Sequence, residues 1–181
     1  GRLQDFFRAR VLFPIFDAEG HAVGFGGRIM PGEEGAKYKN SRDSDLYHKS
    51  RLLYGLNWAR QAAVRNGRVV ICEGYTDVIG FHRAGVPEAV ATCGTSLTED
   101  HLKLLSRYVD KVVLAFDADS AGQAAAERIY AWEKAFNLAV EVVRLPEGSD
   151  PDELSRSDPD ALAAAVESAE PMLRFRLERV L

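Results

Sequence analysis

The sequence has few cysteines, no long apolar run and no repetitive tract. Its two cysteines, Cys72 and Cys93, are too few for a disulfide framework and are typical of a reducing compartment. No apolar stretch approaches the roughly 18 residues of a membrane helix, and residues 1–10 lack the apolar core of a signal peptide. These absences exclude a disulfide scaffold, a disordered chain and a membrane partner, and they predict a cytoplasmic protein.

The composition is that of a globular protein with an uneven charge distribution. Of 181 residues, 46% are hydrophobic and 28% are charged, which predicts one domain with a small appendage. Residues 1–68 carry a net charge of +5 and residues 69–181 a net charge of -9. A basic segment joined to an acidic one suits a site that holds polyanions on one wall and metal cations on the other. Chance and a solvated acidic surface are the alternative explanation.

The first third of the chain predicts a small β-hairpin subdomain. Apolar stretches at residues 11–16 and 23–29 flank a glycine-containing turn, which is a hairpin signal. Residues 31–50 have weak periodicity and predict a long loop, and residues 52–66 predict a helix that ends at Gly67. Because the chain begins without Met and in the middle of an arginine-rich pattern, we expect it to be a piece of a larger protein.

From residue 68 the pattern alternates between strands and helices. Short β-branched stretches at 68–72, 88–92, 111–116 and 140–145 are separated by helical patterns, one of which opens with a capping box at Ser96–Glu99. This order predicts an α/β fold with a parallel sheet of about four strands and helices on both faces. The expected division is a partial basic subdomain at 1–67, an α/β domain at 68–155 and the start of a helical subdomain at 156–181.

Acidic residues follow three of the predicted strands directly. Ligands of open parallel sheets bind beyond the carboxyl ends of the strands, so we expect these acids to meet at one edge. The candidates are Glu73, Asp77, Asp117, Asp119, Asp150 and Asp152.

Such a cluster predicts a site for divalent metal ions. Carboxylates without cysteine ligands suit Mg²⁺ or Mn²⁺ and not Zn²⁺, and the chemistry implied is metal-assisted phosphoryl transfer, with two or more ions. Four of the six acids also have a structural explanation. Asp77 fits the first turn of a helix, Asp119 fits a helix N-cap, and Asp150 and Asp152 fit the start of a short helix.

These motifs resemble a known family. Glu73-Gly-Tyr-Thr-Asp77, Asp117-Ala-Asp119 and Asp150-Pro-Asp152 are similar to the TOPRIM domain of primases, topoisomerases and some nucleases. The upstream segments narrow the resemblance to the RNA-polymerase domain of bacterial DnaG-type primases. They are Arg10-Val-Leu-Phe-Pro-Ile15, Gly24-Phe-Gly-Gly-Arg28, Lys37-Tyr-Lys-Asn-Ser41, Tyr47-His-Lys49, Leu53-Tyr-Gly55 and Cys93-Gly-Thr-Ser96.

The resemblance implies synthesis of RNA primers on single-stranded DNA from ribonucleoside triphosphates. It implies metal binding and catalysis by Glu73, Asp117 and Asp119, with Asp77, Asp150 and Asp152 completing the metal site. It also implies contacts to nucleotide or template, for which the matching residues are Arg28, Lys37, Tyr38, Asn40 and Lys49. The replicative helicase would be a partner through a region that this chain does not contain, and the protein would work at the replisome in the cytoplasm.

Some features of the family differ or are missing here. Ser50 follows Lys49 where the family commonly has Gly, and paired Cys/His ligands for zinc are absent. The resemblance therefore leaves open whether this segment is active alone. Two alternatives remain, a TOPRIM nuclease or topoisomerase module that cleaves DNA, and a non-catalytic nucleotide-binding or docking fragment.

Overall fold

The computed structural model describes residues 5–116, 123–146 and 149–180. Two β-sheets and their helices make up these residues. Asp117 and Asp119, two of the six candidate acids, lie outside the described residues.

The smaller sheet is an antiparallel hairpin with a third strand. β1 (Arg10–Phe16) pairs with β2 (Ala22–Ile29), as the sequence predicts, and β2 pairs with β3 (Tyr38–Asn40). β3 lies inside the stretch that we expected to be loop. That expectation was wrong because a three-residue strand is too short to carry a recognisable alternation.

The larger sheet has six strands in the order β4-β6-β5-β7-β8-β9. Its four central strands are parallel, and β4 and β9 pair antiparallel at the two edges. The strands are β4 (Leu53–Tyr54), β5 (Arg68–Cys72), β6 (Ala89–Thr92), β7 (Lys111–Leu114), β8 (Ala139–Val142) and β9 (Glu170–Pro171). The predicted α/β fold is confirmed, and the short edge strands are additions to it.

Helices cover both faces of this sheet. They are α1 (Leu56–Asn66), α2 (Tyr75–Arg83), α3 (Glu99–Leu105), α4 (Gln123–Phe136), α5 (Pro151–Ser157), α6 (Pro159–Glu167) and α7 (Met172–Val180). The central strands are apolar on both sides because each face is covered, and Val69, Val70 and Ile71 are completely buried. None of the described helices has the length and apolar character that a membrane crossing requires.

The start of α3 differs from the expectation. The N-cap is Thr98 and not Ser96, and its capping partner is His101 and not Glu99. The Thr98 hydroxyl accepts a hydrogen bond from the His101 N–H at 3.2 Å, and His101 Nδ1 accepts one from the Thr98 N–H at 3.3 Å. Histidine lies outside the usual capping-box pattern, so the sequence signal favoured the wrong pair.

Tyr75 joins the two sheets. Its ring stacks on Phe13 of β1, with centroids 5.2 Å apart, and meets the ring of Tyr54 edge-on at 4.7 Å. A Cβ atom built on Gly26 of β2 would lie 2.3 Å from the Tyr75 ring, so only glycine permits this approach. The small sheet therefore packs against Tyr75, the first residue of α2, between the candidate acids Glu73 and Asp77 in the sequence.

Candidate active site

Glu73 and Asp77 lie on the turn that leaves β5 at its carboxyl end. Glu73 follows β5 directly and is exposed, whereas Asp77 lies in the first turn of α2 and is half-buried. The Asp77 carboxylate accepts a hydrogen bond from the Gly74 N–H at 2.9 Å. Asp77 therefore does stabilise the first turn of α2, which was the alternative to a role in metal binding. This hydrogen bond uses only one of its two carboxylate oxygens.

Asp150 and Asp152 reach this turn through the packing of α5 on α2. A Cβ atom built on Gly80 of α2 would lie 2.9 Å from the Pro151 carbonyl oxygen and 3.2 Å from Asp152 Cα. The absence of a side chain at Gly80 therefore allows the start of α5 to lie directly against α2. This contact brings two acids from a distant part of the chain to the Asp77 side of the sheet edge.

Both acids of α5 also have local structural roles. Asp150 is the N-cap of α5 and accepts a hydrogen bond from the Glu153 N–H at 2.7 Å. Asp152 accepts one from the Arg156 guanidinium at 3.1 Å, an i,i+4 pair on an exposed surface. The sequence offered a short helix as the alternative explanation for these two acids, and that helix, α5, is present. The same helix brings the two acids to the sheet edge.

Asp77 lies in a negative and partly buried environment. Burial, together with the negative charges of Asp150, Asp152 and Glu73, raises the pKa of Asp77 to about 6, although the hydrogen bond from the Gly74 N–H opposes the rise. At Asp77, burial and neighbouring charge therefore outweigh that hydrogen bond.

The donor chemistry of this edge fits a hard divalent cation. All four described acids offer carboxylate oxygens, the ligand type that Mg²⁺ and Mn²⁺ prefer. Across the described residues, no three His, Cys, Asp or Glu side chains are grouped closely enough to hold a metal ion by themselves. Because Asp117 and Asp119 lie outside the described residues, the six-acid metal site remains a prediction.

The basic candidates lie on the small sheet and in the turn that follows it. Arg28 stands opposite Tyr38 across β2 and β3, with its guanidinium carbon 5.8 Å from the ring centre. Lys37 is exposed, and Lys49 is half-buried. Burial raises the pKa of the Cys93 thiol to about 11, and the ammonium of Lys49 is near enough to oppose that rise. Lys49 therefore lies near the carboxyl end of β6, where Cys93 follows the strand.

Asn40 bridges the small sheet and this edge of the large one. Its amide donates a hydrogen bond to the Cys93 carbonyl at 2.7 Å, and its oxygen accepts one from the Tyr75 hydroxyl at 2.8 Å. The sequence pattern predicts contact with base or sugar for Asn40, and that contact is untested. The bridge itself was not foreseen, because nothing in a single polar residue indicates a partner 53 positions away.

A cavity of about 370 Å³ adjoins Glu73. The loop after β6 forms one side of it with Gly94, Thr95 and Ser96, and Arg128 and Trp132 of α4 form another. Sequence reasoning missed the two α4 residues, although a tryptophan and an arginine four positions apart on one helix face were a usable signal.

The remaining reactive groups are buried. Tyr47 and Tyr75 are 0% and 4% exposed, which argues against a covalent bond between either of them and DNA. Cys72 and Cys93 are buried and free, and burial raises the pKa of both thiols. These groups serve packing and not chemistry.

Comparison with known proteins identifies the same two segments. Residues 70–155 match the Toprim-like family, and residues 1–60 match the family described as DNA primase catalytic core, N-terminal domain. The DNA primase of Clostridium acetobutylicum is 40% identical over 97% of this chain, and that of Escherichia coli K12 is 41% identical over 97%. The chain spans 29% and 31% of the lengths of these two relatives.

Solved structures agree with the sequence comparison. The Escherichia coli primase catalytic core superposes with a TM-score of 0.87 at 39% identity, covering 100% of this chain and 59% of that one. A DnaG primase catalytic domain bound to single-stranded DNA gives a TM-score of 0.85 at 39% identity, covering 98% of this chain and 57% of that one. The chain belongs to the bacterial DnaG-type primase family, and it corresponds to part of the catalytic core of those enzymes.

Proposed function

We propose that this chain carries the metal-dependent nucleotidyl-transfer site of a primase, which joins ribonucleotides into a primer on single-stranded DNA. The observation that carries the proposal is the contact of α5 with Gly80 of α2, where Pro151 and Asp152 approach the helix that bears Asp77. Asn40 ties the basic sheet to the same edge. Acidic residues at the edge of the large sheet suit metal ions, and basic residues of the small sheet beside it suit the phosphates of a nucleotide.

The carboxylates would hold divalent ions, Mg²⁺ or Mn²⁺, in two groups. Glu73, Asp117 and Asp119 would form the group that supports catalysis, and Asp77, Asp150 and Asp152 would complete the site. When bound, such ions lower the pKa of an attacking hydroxyl and offset charge on the transferred phosphate. The acids themselves hold the oxygen ligands in place, and no covalent protein nucleophile is needed.

The basic residues would bind the nucleotide and the template. Arg28, Lys37 and Lys49 offer positive charges for phosphate groups, with the arginine able to form paired hydrogen bonds. Tyr38 and Asn40 share the same loop region and would contact base or sugar. The cavity beside Glu73, which ends in Trp132, has room for the nucleoside part of a ligand.

The partners and place of action follow from the family. The single-stranded DNA seen with one solved relative is the proposed template here. Ribonucleoside triphosphates are the proposed substrates, and the replicative helicase is the proposed partner of a region outside this chain. The proposed site of action is the replisome in the cytoplasm. We also propose that residues 1–67, 68–155 and 156–181 form the basic, Toprim and helical parts.

The test is stabilisation of this chain by Mn²⁺ and ATP added together. A ligand at 100 times its dissociation constant adds about 2.7 kcal/mol to the unfolding free energy. We expect Glu73→Gln to lose most of that stabilisation and Glu19→Gln, an exposed change in the β1–β2 turn, to retain it. If neither Mn²⁺ nor ATP stabilises the unmutated chain, the docking alternative is favoured.

A second assay separates joining from cleavage. The complete protein is incubated with Mn²⁺, ribonucleotides and single-stranded DNA, and the products are resolved by length. Extension of ribonucleotides supports the proposal. Metal-dependent nicking of DNA without extension would favour a nuclease, although the burial of Tyr47 and Tyr75 argues against a tyrosine-linked intermediate on these residues.

A further inference from the structure

Side chains at the N-terminus of α3 form hydrogen bonds and an ion pair with the turn that contains Lys49. The Thr98 hydroxyl donates a hydrogen bond to the Ser50 carbonyl at 2.7 Å, and His101 Nε2 bonds to the Lys49 carbonyl at 3.0 Å. Next in sequence, the Arg51 guanidinium pairs with the Asp100 carboxylate at 3.1 Å. Three consecutive residues of the turn are thus held by side chains of one helix end, about 50 positions away in sequence.

The two hydrogen bonds of His101 define its protonation. A carbonyl oxygen only accepts, so Nε2 carries the proton, and Nδ1 must be unprotonated because it accepts from the Thr98 N–H. His101 is 0% exposed, so water offers no substitute for either bond. The imidazole is therefore fixed between the helix start and the Lys49 backbone.

Helix capping alone does not explain this arrangement. A cap needs the Thr98 hydroxyl and the His101 Nδ1 as acceptors, and both serve that purpose. The two remaining donors, the hydroxyl proton and Nε2–H, are directed at two successive carbonyls of the turn. The Lys49 side chain leaves the backbone between the His48 and Lys49 carbonyls. The first accepts a hydrogen bond from the Arg51 N–H at 3.0 Å and His101 holds the second, so both peptide groups beside this side chain are fixed.

The held turn directs Lys49 to the site edge. Lys49 is half-buried, and its turn is held by Thr98 and His101, which follow the loop that leaves β6 at the edge that Asn40 bridges. A lysine on a mobile loop loses much conformational entropy when it binds phosphate. A lysine whose backbone is already anchored loses less, so its binding is favoured.

We propose that His101 and Thr98 are positioning residues that hold the 48–51 turn so that the Lys49 ammonium meets the phosphates of the incoming nucleotide. The inference rests on the proposed function, because it assigns phosphate binding to Lys49. His101 acts through Lys49 and does not itself contact the nucleotide.

The experiment measures the affinity of this chain for ATP in the presence of Mn²⁺ by titration calorimetry. We expect His101→Ala to weaken binding by about fivefold to tenfold, close to the effect of Lys49→Ala, since a typical net hydrogen bond contributes a factor of that order. His101→Gln should retain near-normal affinity, because glutamine can accept from the Thr98 N–H and donate to the Lys49 carbonyl. In the double variant, the effect of losing His101 should disappear once Lys49 is gone.

The milder pair Thr98→Val and Thr98→Ser covers the case in which His101→Ala does not fold. Valine should weaken ATP binding and serine should not, because only serine keeps the hydroxyl that reaches Ser50. Cleavage of the Lys49–Ser50 bond by trypsin supplies a second readout on His101→Ala or Thr98→Val. We expect faster cleavage than in the glutamine and serine variants.

The outcomes separate this inference from the proposed function. If Lys49→Ala weakens ATP binding but His101→Ala and Thr98→Val do not, the inference is overturned and the proposed function stands. Additive losses in the double variant, or a glutamine variant as weak as the alanine one, also overturn it. If the unmutated chain does not bind ATP with Mn²⁺, or Lys49→Ala binds as well as the unmutated chain, both fail.

Discussion

The amino-terminal edge of the large sheet carries carboxylates paired with an arginine, whereas at its carboxyl-terminal edge Asp77 has other carboxylates as neighbours. At the amino end, Arg68 opens β5 and donates hydrogen bonds to Glu88 at 2.9 Å and to Glu167 at 3.2 Å. Hydrogen bonds from Arg68 lower the pKa of Glu167. At the carboxyl end, burial and neighbouring acids raise the pKa of Asp77.

The difference separates charges that stabilise the fold from charges that we propose to bind a metal ion. Glu88 is 1% exposed, and without Arg68 it would be a buried and unpaired charge. Asp77 is half-buried beside further acids, an arrangement that lowers stability and that a divalent cation would relieve. The same residue type therefore stabilises one edge and serves the proposed chemistry of the other.

The largest expected effect is on activity at the carboxyl edge. In the complete protein, Glu73→Gln should reduce dinucleotide formation by about a hundredfold or more, because it removes a charged metal ligand. The unfolding temperature should change little, since Glu73 is exposed. Activity within about tenfold of the unmutated protein would refute the ligand role of Glu73.

The largest expected effect on stability lies at the amino edge. Arg68→Ala should lower the free energy of unfolding by about 3–5 kcal/mol, because Glu88 is left buried and unpaired. Urea denaturation measures the change, and Arg65→Ala, an exposed residue at the end of α1, is the matched control. A loss below about 1 kcal/mol would mean that water or rearrangement replaces the ion pair.

Asp77→Asn should raise the free energy of unfolding, whereas Arg68→Ala lowers it. The folded pKa of about 6 lies above the ordinary aspartate value of 3.8, so the stabilising contribution of this group is present below about pH 4 and is lost as the pH rises through 6. Asparagine removes the charge, so we expect a gain of about 1–2 kcal/mol near pH 7.5 without metal.

That gain should vanish near pH 4, where the aspartate is protonated in the folded state. Asp160→Asn, an exposed change in the first turn of α6, is the control for denaturation at both pH values. Destabilisation by Asp77→Asn near pH 7.5 would show that the Gly74 hydrogen bond outweighs the repulsion.

A smaller effect is expected at His101. Burial lowers the pKa of its imidazole, against opposing effects of the Lys49 carbonyl and the Asp100 charge. Stability from the neutral ring is therefore present above pH 6.5 and is lost as the pH falls through the lower folded value.

The comparison variant is His101→Gln, which has no titrating group. It should lose less stability than the unmutated chain as the pH falls from about 7.5 to about 5. Thermal unfolding at both pH values measures the difference. Equal acid sensitivity would show that His101 is not held in its neutral form.

The alternation of strands and helices, the parallel sheet and the position of two acids directly after a strand could be predicted from the sequence. Glu73 and Asp77 follow β5 as predicted. That prediction needed only the local strand pattern and the rule that parallel strands end at the same edge of a sheet. Contacts made by single polar side chains over long separations could not be predicted. The Asn40–Cys93 bridge and the His101–Lys49 bond have no periodic signal, and the third strand of the small sheet is too short for one.

The docking of α5 was likewise hidden from local pattern. Gly80 reads as an ordinary helix residue, yet its missing side chain is what lets Pro151 and Asp152 approach α2. Tyr75 lies within the motif that carries the resemblance, and its packing role emerges only when Gly26 and Phe13 are found against its ring.

The central claim is that acids from separate segments of this chain converge to bind divalent ions. A crystal soaked in Mn²⁺ and measured for anomalous scattering locates such ions directly. We expect peaks roughly 2.0–2.4 Å from carboxylate oxygens of Glu73 and of the Asp77, Asp150 and Asp152 group. Manganese bound only elsewhere on the molecule, with none at these carboxylates, would contradict the account.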